Sequence, residues 1–290
     1  MTRTSALALL TADDYALTEG VSAGIEELAR RGLLSATGAM VTTRHWPAHA
    51  GRLAALRGHV AVGLHFNLTL GAPIGPMPRL APGGGLPTIG AVTAAALTRR
   101  IDPAEIEAEA SRQLDAFERL HGHPPDYLDG HQHVHALPRV RDGVLAAIAR
   151  CRWPRPLLIR DPGTRLSALA GAGTKAAVLA GLSAGFASRA RASGLVVNDS
   201  FGGVTDFEPE AAGADLARSL QGAARSGIHI AMCHPGFPDD ELASLDPVTV
   251  RRRSEYDALL AMPGLSGRIW HPGRPADGGM IDWPQELARA

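Results

Sequence analysis

Two adjacent carboxylates, Asp13 and Asp14, stand at the end of an apolar run that begins at Leu7. The run has the length of one buried strand and stops abruptly at charge. Neighbouring side chains on a strand point to opposite sides, but at the rim of a sheet both acids can reach one cavity. One acid would then hold a metal ion while the other handles a proton. The alternative is a turn or a helix cap, where aspartate is common on any fold.

A second group of candidate residues lies between Tyr127 and His135, where three of the chain's 12 histidines fall within five positions. If this stretch stays extended, alternation places four side chains on one face: Asp129, His131, His133 and His135. Imidazole suits metal binding and proton transfer. These roles are therefore favoured over a polar loop with histidines at random positions.

Further polar residues end other apolar segments, namely His65, Arg160 and His234. Each histidine alone is a weak signal, and Arg160 fits a carboxylate-orienting role as well as a surface ion pair. Cys233 precedes His234, but adjacent residues on a strand point apart, so we reject a cysteine–histidine nucleophile pair. Together with the aspartates, the histidines form a carboxylate and imidazole set that suits Zn²⁺ and several other divalent ions.

The elements that must position these residues alternate between strand and helix roughly seven times along the chain. This order predicts a mostly parallel sheet with right-handed crossovers. At 290 residues we expect an α/β fold in a single domain over 1–290, as a (β/α) barrel that is distorted or incomplete. Its active site would lie at the carboxyl rim of the strands. No G-x-G-x-x-G or Walker loop follows the first strand, so an open nucleotide-binding sheet loses support.

Several element boundaries can also be predicted. The segment 71–90, with five prolines and six glycines, is expected to be an irregular loop that borders the substrate cleft and is more mobile than the strands. Residues 34–41 are predicted as a strand and residues 200–204 as a loop. The last helix is expected over 247–261 and a final strand over 267–270.

Composition bounds the remaining function classes. Hydrophobic residues make up 45% of the chain, enough for a large core, and 29 Lys and Arg balance 29 Asp and Glu. Zero net charge argues against nucleic acid or an anionic membrane as a partner, and no apolar run is long enough to cross a bilayer. The apolar start is too short for a signal peptide and two cysteines make no disulfide framework, so we expect a cytoplasmic protein. A homodimer is compatible with the sequence.

The motifs resemble those of the YdjC-like carbohydrate deacetylases, a family that includes chitooligosaccharide deacetylases. The matching segments, in family order, are Thr11-Ala12-Asp13-Asp14-Tyr15, Gly63-Leu64-His65-Phe66-Asn67-Leu68-Thr69, Leu128-Asp129-Gly130-His131-Gln132-His133-Val134-His135 and Met232-Cys233-His234-Pro235-Gly236. The resemblance implies a fold related to the polysaccharide deacetylase barrels. It also implies one divalent metal ion, Mg²⁺ or Zn²⁺, and a hydrolase that removes the N-acetyl group from an amino sugar or short oligosaccharide.

Residue roles follow from the same resemblance. Asp14, His65 and His131 would bind the metal, Asp13 would be the catalytic base and His234 the catalytic acid. Four further residues are expected to bind substrate or support the site: Tyr15, Asp129, His133 and Arg160.

Two departures from the family pattern bear on the pocket. The family commonly has Phe-Gly after Asp-Asp, where this chain has Tyr15 and Ala16, which would alter the pocket floor. It often has three consecutive histidines, where this chain has Gln132 between His131 and His133. Whether His133 meets the metal therefore stays open.

Two other function classes stay open, and so does the role of the aromatic residues. A metal-dependent phosphoesterase on a similar barrel would need more metal ligands and a cationic phosphate site. A non-catalytic sugar-binding protein would carry a structural metal that the protein ligates fully, whereas three ligands leave a position open. Trp46, Trp153 and Tyr15 are candidates to stack on sugar faces, although most aromatic residues fill a core.

Overall fold

Eight strands form one sheet in the computed structural model, which describes residues 7–163, 174–221, 227–274 and 278–289. The strands are β1 Leu7–Tyr15, β2 Ala36–Ala39, β3 Ala61–Phe66, β4 Tyr127–Gly130, β5 Leu158–Ile159, β6 Val196–Val197, β7 Ser200–Gly202 and β8 Ile228–Cys233. Their order across the sheet is β6-β5-β4-β3-β2-β1-β8-β7. Each of these pairings is parallel, as the alternation of elements predicts.

A very short segment joins the two edges of the sheet. β6 and β7 lie at opposite edges, yet only Asn198 and Asp199 separate them in the chain. Successive Cα atoms are 3.8 Å apart, so the two edges approach within roughly 11 Å and the sheet has to curl. The architecture is therefore an incomplete (β/α) barrel, which confirms the fold class expected from the sequence.

Helices connect and cover the strands in the described parts of the chain. They are α1 Glu19–Arg30, α2 Trp46–Ala54, α3 Ile89–Leu97, α4 Pro103–His121, α5 Val140–Arg150, α6 Thr174–Leu182, α7 Phe186–Ala192, α8 Ala212–Gln221, α9 Asp240–Leu245, α10 Val250–Ala261 and α11 Trp283–Arg289. None of the described helices combines the length and the apolarity that a membrane crossing requires.

Helix α4 shows how the local sequence sets these boundaries. The Asp102 side chain accepts a hydrogen bond from the Ala104 backbone N–H, and Pro103 occupies the first turn, where its missing N–H is harmless. Gly122 ends the helix in the left-handed conformation, with φ of 81°. Between these ends the helix buries one apolar stripe: Ile106, Ala110, Leu114 and Phe117.

The loop 71–90 lies mostly away from the main cleft, which is the cavity lined by Asp13, Asp14 and His65. Glu105 and Glu109 of α4 each accept hydrogen bonds from two backbone N–H groups of this loop, which anchors it to the helix. Within the segment only Ile89, the first residue of α3, lines the main cleft. The expected contact of this loop with the cleft is therefore limited to Ile89. Its mobility relative to the strands stays a prediction.

Four other boundaries differ from the sequence-based expectation. Residues 200–202 form strand β7 although two glycines follow Phe201, because pairing with β8 satisfies their backbone groups. Residues 265–267 form a short 3₁₀ turn instead of the start of a final strand. Helix α10 begins at Val250 and is followed by α11, so it is not the last helix. Strand β2 spans only Ala36–Ala39 of the predicted 34–41.

Candidate active site

The inward-facing positions of the curled sheet change from apolar to polar toward the carboxyl ends of the strands. On β1, Leu7 and Leu9 pack inside the curl with Ile230 of β8 and with Trp283, which fills its amino-terminal end. Side chains alternate along a strand, so Asp13 faces inward like Leu7 and Leu9. By the same alternation, four polar residues at or just after the ends of other strands also face inward: His65, Asp129, Arg160 and His234.

Asp14 breaks this parity and needs a local distortion to join the cleft. The register of β1 against β2 shifts between Ala12 and Tyr15, as in a β-bulge. Asp14 itself has φ of 71° and Ala16 has φ of 69°, backbone angles that residues other than glycine rarely adopt. The strain lets two adjacent acids line one cavity together, as expected at the rim of a sheet.

Asp14 stands between two imidazoles. Its Oδ1 atom lies 3.2 Å from Nε2 of His65 and 2.9 Å from Nδ1 of His131. One ligand atom from each of the three residues falls within 4.8 Å of the others. A carboxylate oxygen and two imidazole nitrogens are donors that divalent transition ions accept. The residues present therefore fit the ion that the resemblance implies.

His65 is oriented by a carboxylate behind it. Its Nδ1 atom lies 2.6 Å from Oδ1 of Asp129, which leaves Nε2 directed at Asp14. Burial would lower the pKa of His65, but Asp129 and Asp13 outweigh it and raise that pKa to about 10. Gly38 makes room for the pair, since a Cβ there would lie 3.1 Å from Oδ1 of Asp129.

Asp13 is held by Arg160 in a bidentate ion pair. Nη1 and Nη2 of Arg160 donate to its two carboxylate oxygens at 2.7 and 2.6 Å, and both side chains are buried. Nη2 also lies 2.5 Å from Oδ2 of Asp129. Burial alone would raise the pKa of Asp13, but Arg160 overcomes it and lowers that pKa to about 2. Arg160 thus contacts both Asp13 and Asp129, and the supporting roles of Arg160 and Asp129 stay predictions.

Asp14 is held by Arg252, a residue that was not predicted from the sequence. Nη2 of Arg252 donates to Oδ2 of Asp14 at 2.6 Å and is also paired with Asp246, a residue of the cleft wall. Burial would raise the pKa of Asp14, but Arg252 and His131 keep it well below its usual range. Arg252 is fully buried although it stands in a run of three arginines. Such a run is typical of a solvated helix face, so the sequence carried no signal for this role.

The histidine-rich stretch is not extended, so the prediction that its four polar residues share one face is wrong. β4 ends at Gly130, and residues 131–136 form a 3₁₀ turn in which Gln132 and His133 adopt left-handed φ of 51° and 61°. His131 and His133 both line the cleft. His135 is instead buried, with Nε2 2.7 Å from the carbonyl oxygen of Arg160.

His133 and His234 complete the polar side of the cleft. The His133 ring meets Phe201 edge to face, and burial holds the pKa of His133 well below its ordinary value. His133 falls outside the groups of residues whose ligand atoms converge for a metal. The His234 ring meets Phe207 edge to face, and its backbone N–H donates to Glu255.

The structure corrects the expected sugar-stacking role of three aromatic residues. Tyr15 is fully buried, and its hydroxyl donates to Glu26 at 2.9 Å. Trp46 is buried too and stacks on Phe117 in the core. Trp153 borders a different cavity beside α5. Their apolar area fills or edges the hydrophobic core instead of the main cleft.

Comparison with known proteins gives curated relatives that are named chitooligosaccharide deacetylase. A chitooligosaccharide deacetylase of Proteus mirabilis (strain HI4320) is 36% identical over 134 residues, which are 46% of this chain and 52% of that protein. A chitooligosaccharide deacetylase of Yersinia pestis (strain Pestoides F) is 36% identical over 145 residues, 50% of this chain and 56% of that protein. The matched region thus spans about half the length of these curated relatives.

Among solved structures, a candidate cellobiose-phosphate cleavage protein of Enterococcus faecalis V583 has a TM-score of 0.68. The superposition covers 98% of this chain and 99% of that chain at 19% sequence identity, so the two share their fold. The family of YdjC-like proteins matches residues 7–262, which include every strand of the sheet and each residue of the cleft named above. The chain therefore belongs to the YdjC-like protein family.

Proposed function

We propose that this chain is a metal-dependent hydrolase that removes the N-acetyl group from an N-acetylated amino sugar or short oligosaccharide. One observation carries the proposal. The cleft brings together one carboxylate and two imidazoles that converge, Asp14, His65 and His131, and a separate imidazole, His234. A second carboxylate, Asp13, lies beside them and converges with His65 and Asp129. The chitooligosaccharide deacetylase activity after which the relatives are named supports it.

Asp14, His65 and His131 would hold the ion. Two nitrogen donors favour Zn²⁺ or another transition ion over Mg²⁺, which prefers oxygen ligands. When bound there, a divalent ion supplies positive charge that polarises the amide carbonyl and stabilises the oxyanion of the transition state.

The side chains around that ion would move the protons of an amide hydrolysis. The oxygen of water bonds to the carbonyl carbon, the C–N bond breaks, and the departing nitrogen takes up a proton. Asp13 would accept the proton of the water, because each of its oxygens keeps a second lone pair beside Arg160. His234 would donate a proton to the amine.

The alternatives fit the cleft less well. Among the described residues that line it there is no lysine or arginine, and both buried arginines beside it are committed to aspartates. A phosphoesterase would need such a cation for the phosphate. A structural metal in a sugar-binding protein would leave Asp13, buried beside Arg160 at the cleft, without a purpose.

Acetate release tests the proposal directly. Purified protein should be stripped with a chelator, reloaded with Zn²⁺, Mg²⁺, Mn²⁺ or Co²⁺, and incubated with N-acetylglucosamine and its β-1,4-linked dimer and trimer. We expect acetate to form only in reloaded samples. Release of phosphate from sugar phosphates, with no acetate from any N-acetylated sugar, would overturn the proposal in favour of a phosphoesterase.

We further propose a cytoplasmic location, on the ground that two free cysteines suit a reducing compartment. Cell fractionation checks it. A homodimer also stays a proposal, and light scattering of the purified chain checks that.

A further inference from the structure

Beyond its polar residues, the cleft wall is aliphatic. The cavity holds about 710 Å³ and opens beside the candidate metal ligands. Much of its lining comes from side chains that offer no hydrogen bonds: Ile89, Leu137, Leu179, Leu182, Val204 and Met232. Such a wall gains free energy only by covering apolar ligand surface.

The polar groups of this cleft are few for a ligand made of sugar alone. Apart from the candidate metal ligands, Asp13, His133 and His234, the described lining offers side-chain hydrogen bonds only from Thr93, Gln132, Thr205 and Asp246. Its one described aromatic side chain is Phe207, whose ring already meets His234 edge to face. Oligosaccharide hydroxyls would therefore find few partners, and sugar faces would find little aromatic surface.

Helix α6 exposes apolar side chains at the cleft. Val178, Leu179 and Leu182 all line it, and their spacing places them on neighbouring faces of the helix. Val178 is 61% exposed, and Leu179 and Leu182 are half-buried. Large apolar residues that line a cavity and stay exposed mark a ligand-binding surface.

We propose that the substrate of this deacetylase is amphiphilic, an amino sugar that carries an alkyl group. This alkyl group would lie along α6 and the aliphatic wall of the cleft. The inference rests on the proposed function and names its substrate class. The alkyl group of the substrate can be attached in two ways. It is either the aglycone, bonded through the glycosidic oxygen, or an N-acyl group longer than acetyl.

Matched substrates separate these two ways of attachment. The metal-loaded enzyme is assayed with methyl and n-octyl β-glycosides of N-acetylglucosamine, below the micelle concentration, and with N-acetyl- and N-octanoylglucosamine. An aliphatic aglycone predicts a kcat/KM at least tenfold higher for the octyl than for the methyl glycoside. A long N-acyl chain predicts the same advantage for the octanoyl amide. Equal kcat/KM values within each pair would overturn the inference while leaving the deacetylase proposal intact.

Two valine variants test where the alkyl group of the substrate lies. Val178→Ser removes apolar surface from the cleft, and Val250→Ser is its matched control, since Val250 is 62% exposed on α10 and does not line the cavity. We expect Val178→Ser to reduce the ratio of octyl to methyl kcat/KM at least threefold, and Val250→Ser to leave this ratio unchanged. An octyl advantage that survives Val178→Ser and Leu182→Ser together would contradict the placement along α6.

A binding measurement keeps the inference testable without turnover. Asp13→Asn protein is titrated calorimetrically with the two glycosides. Tighter binding of the octyl glycoside, weakened by Val178→Ser, supports the aliphatic subsite even if the metal-loaded wild-type enzyme releases no acetate, in which case the deacetylase proposal alone fails. Equal affinity for both glycosides would overturn it.

Discussion

Single residues in this cleft hold their charges in fixed buried pairs. Asp13 is paired with Arg160, Asp14 with Arg252, and His65 with Asp129. Removing one partner of a buried pair leaves an uncompensated charge, which usually costs more than the pair contributes. The site is therefore organised before substrate binds, and its residues differ in what they support.

The Arg252 side chain gives a prediction about stability and metal together. Arg252→Gln leaves Asp14 buried without its counter-charge, so the metal-free protein should lose about 3–5 kcal/mol of unfolding free energy. An added divalent ion replaces the missing charge. Added Zn²⁺ should therefore raise the melting temperature more in this variant than in the wild type, as thermal denaturation can measure.

Arg253→Gln is the matched control for this experiment. Arg253 is the next residue of α10 but is exposed and pairs with Asp257 at the surface. Its removal should cost little stability, because exposed ion pairs contribute little, and should leave the Zn²⁺ effect unchanged. Identical behaviour of the two variants would contradict a supporting role for Arg252.

His234 should act on turnover and not on metal binding. His234→Ala removes the proposed acid, so kcat should fall roughly 10²–10⁴-fold. The zinc content should stay that of the wild type, because His234 lies outside the convergent ligand group. Acetate release and elemental analysis measure the two effects, with His59→Ala at an exposed turn as control. Full activity of His234→Ala would remove the acid from the mechanism.

At the scale of elements, helix α4 buries a titratable group that makes stability depend on pH. His121, at its last turn, packs against Phe117 and is 3% exposed. Burial lowers the pKa of His121 to about 4, against an ordinary value of 6.5. The unfolded chain therefore binds the proton more readily than the folded chain between these two pH values.

It follows that the stability due to His121 is complete above pH 6.5 and is lost as the pH falls toward 4. The loss amounts to roughly 3 kcal/mol, since one pKa unit corresponds to 1.36 kcal/mol. His121→Gln cannot titrate but can still donate to the carbonyl oxygen of His123, as Nδ1 of His121 can now. Urea unfolding of both proteins at pH 4.5 and 7.5 should show a smaller pH effect in the variant. Equal pH effects would rule out this burial cost.

Sequence patterns were sufficient for elements with regular periodicity and insufficient where the backbone turns left-handed. The apolar run before Asp13 and the strand before His65 are where alternation places them. The stretch after Gly130 departs from alternation, because two residues with positive φ turn the chain through a 3₁₀ segment. The contacts of Arg252 and Glu255 with the site could not be predicted, because charged residues on a helix usually face solvent, whereas these two are buried.

At the scale of the whole molecule, the curl of the sheet brings the strand ends together, and Asn198 helps to hold it. The Asn198 side chain accepts from the Asp161 N–H at 2.7 Å and donates to the carbonyl oxygens of Asp161 and Ser200. It therefore ties the end of β5 to the segment that crosses from one sheet edge to the other. The sequence predicts a barrel but not these Asn198 contacts, because β5 and β6 are too short to show a periodic pattern.

Asn198→Ala should weaken this closure. Three partly buried hydrogen bonds are lost and the Asp161 backbone groups are left without them, which should cost about 2–4 kcal/mol of unfolding free energy. Chemical denaturation measures the change. Ser244→Ala, which removes a local and exposed hydrogen bond, should cost far less. Equal small losses would mean that the curl does not depend on Asn198.

The most direct test of the account compares Asp14→Asn with Asp13→Asn. An amide is a poorer, uncharged metal ligand, so Asp14→Asn should lose the ion. An amide cannot accept the proton of the attacking water, so Asp13→Asn should keep the ion, bind substrate and release almost no acetate. Metal content by elemental analysis and acetate release should be measured on both variants together. Retained metal and near-normal turnover in both would contradict the proposed site, and exchanged phenotypes would reverse the assignment of base and ligand.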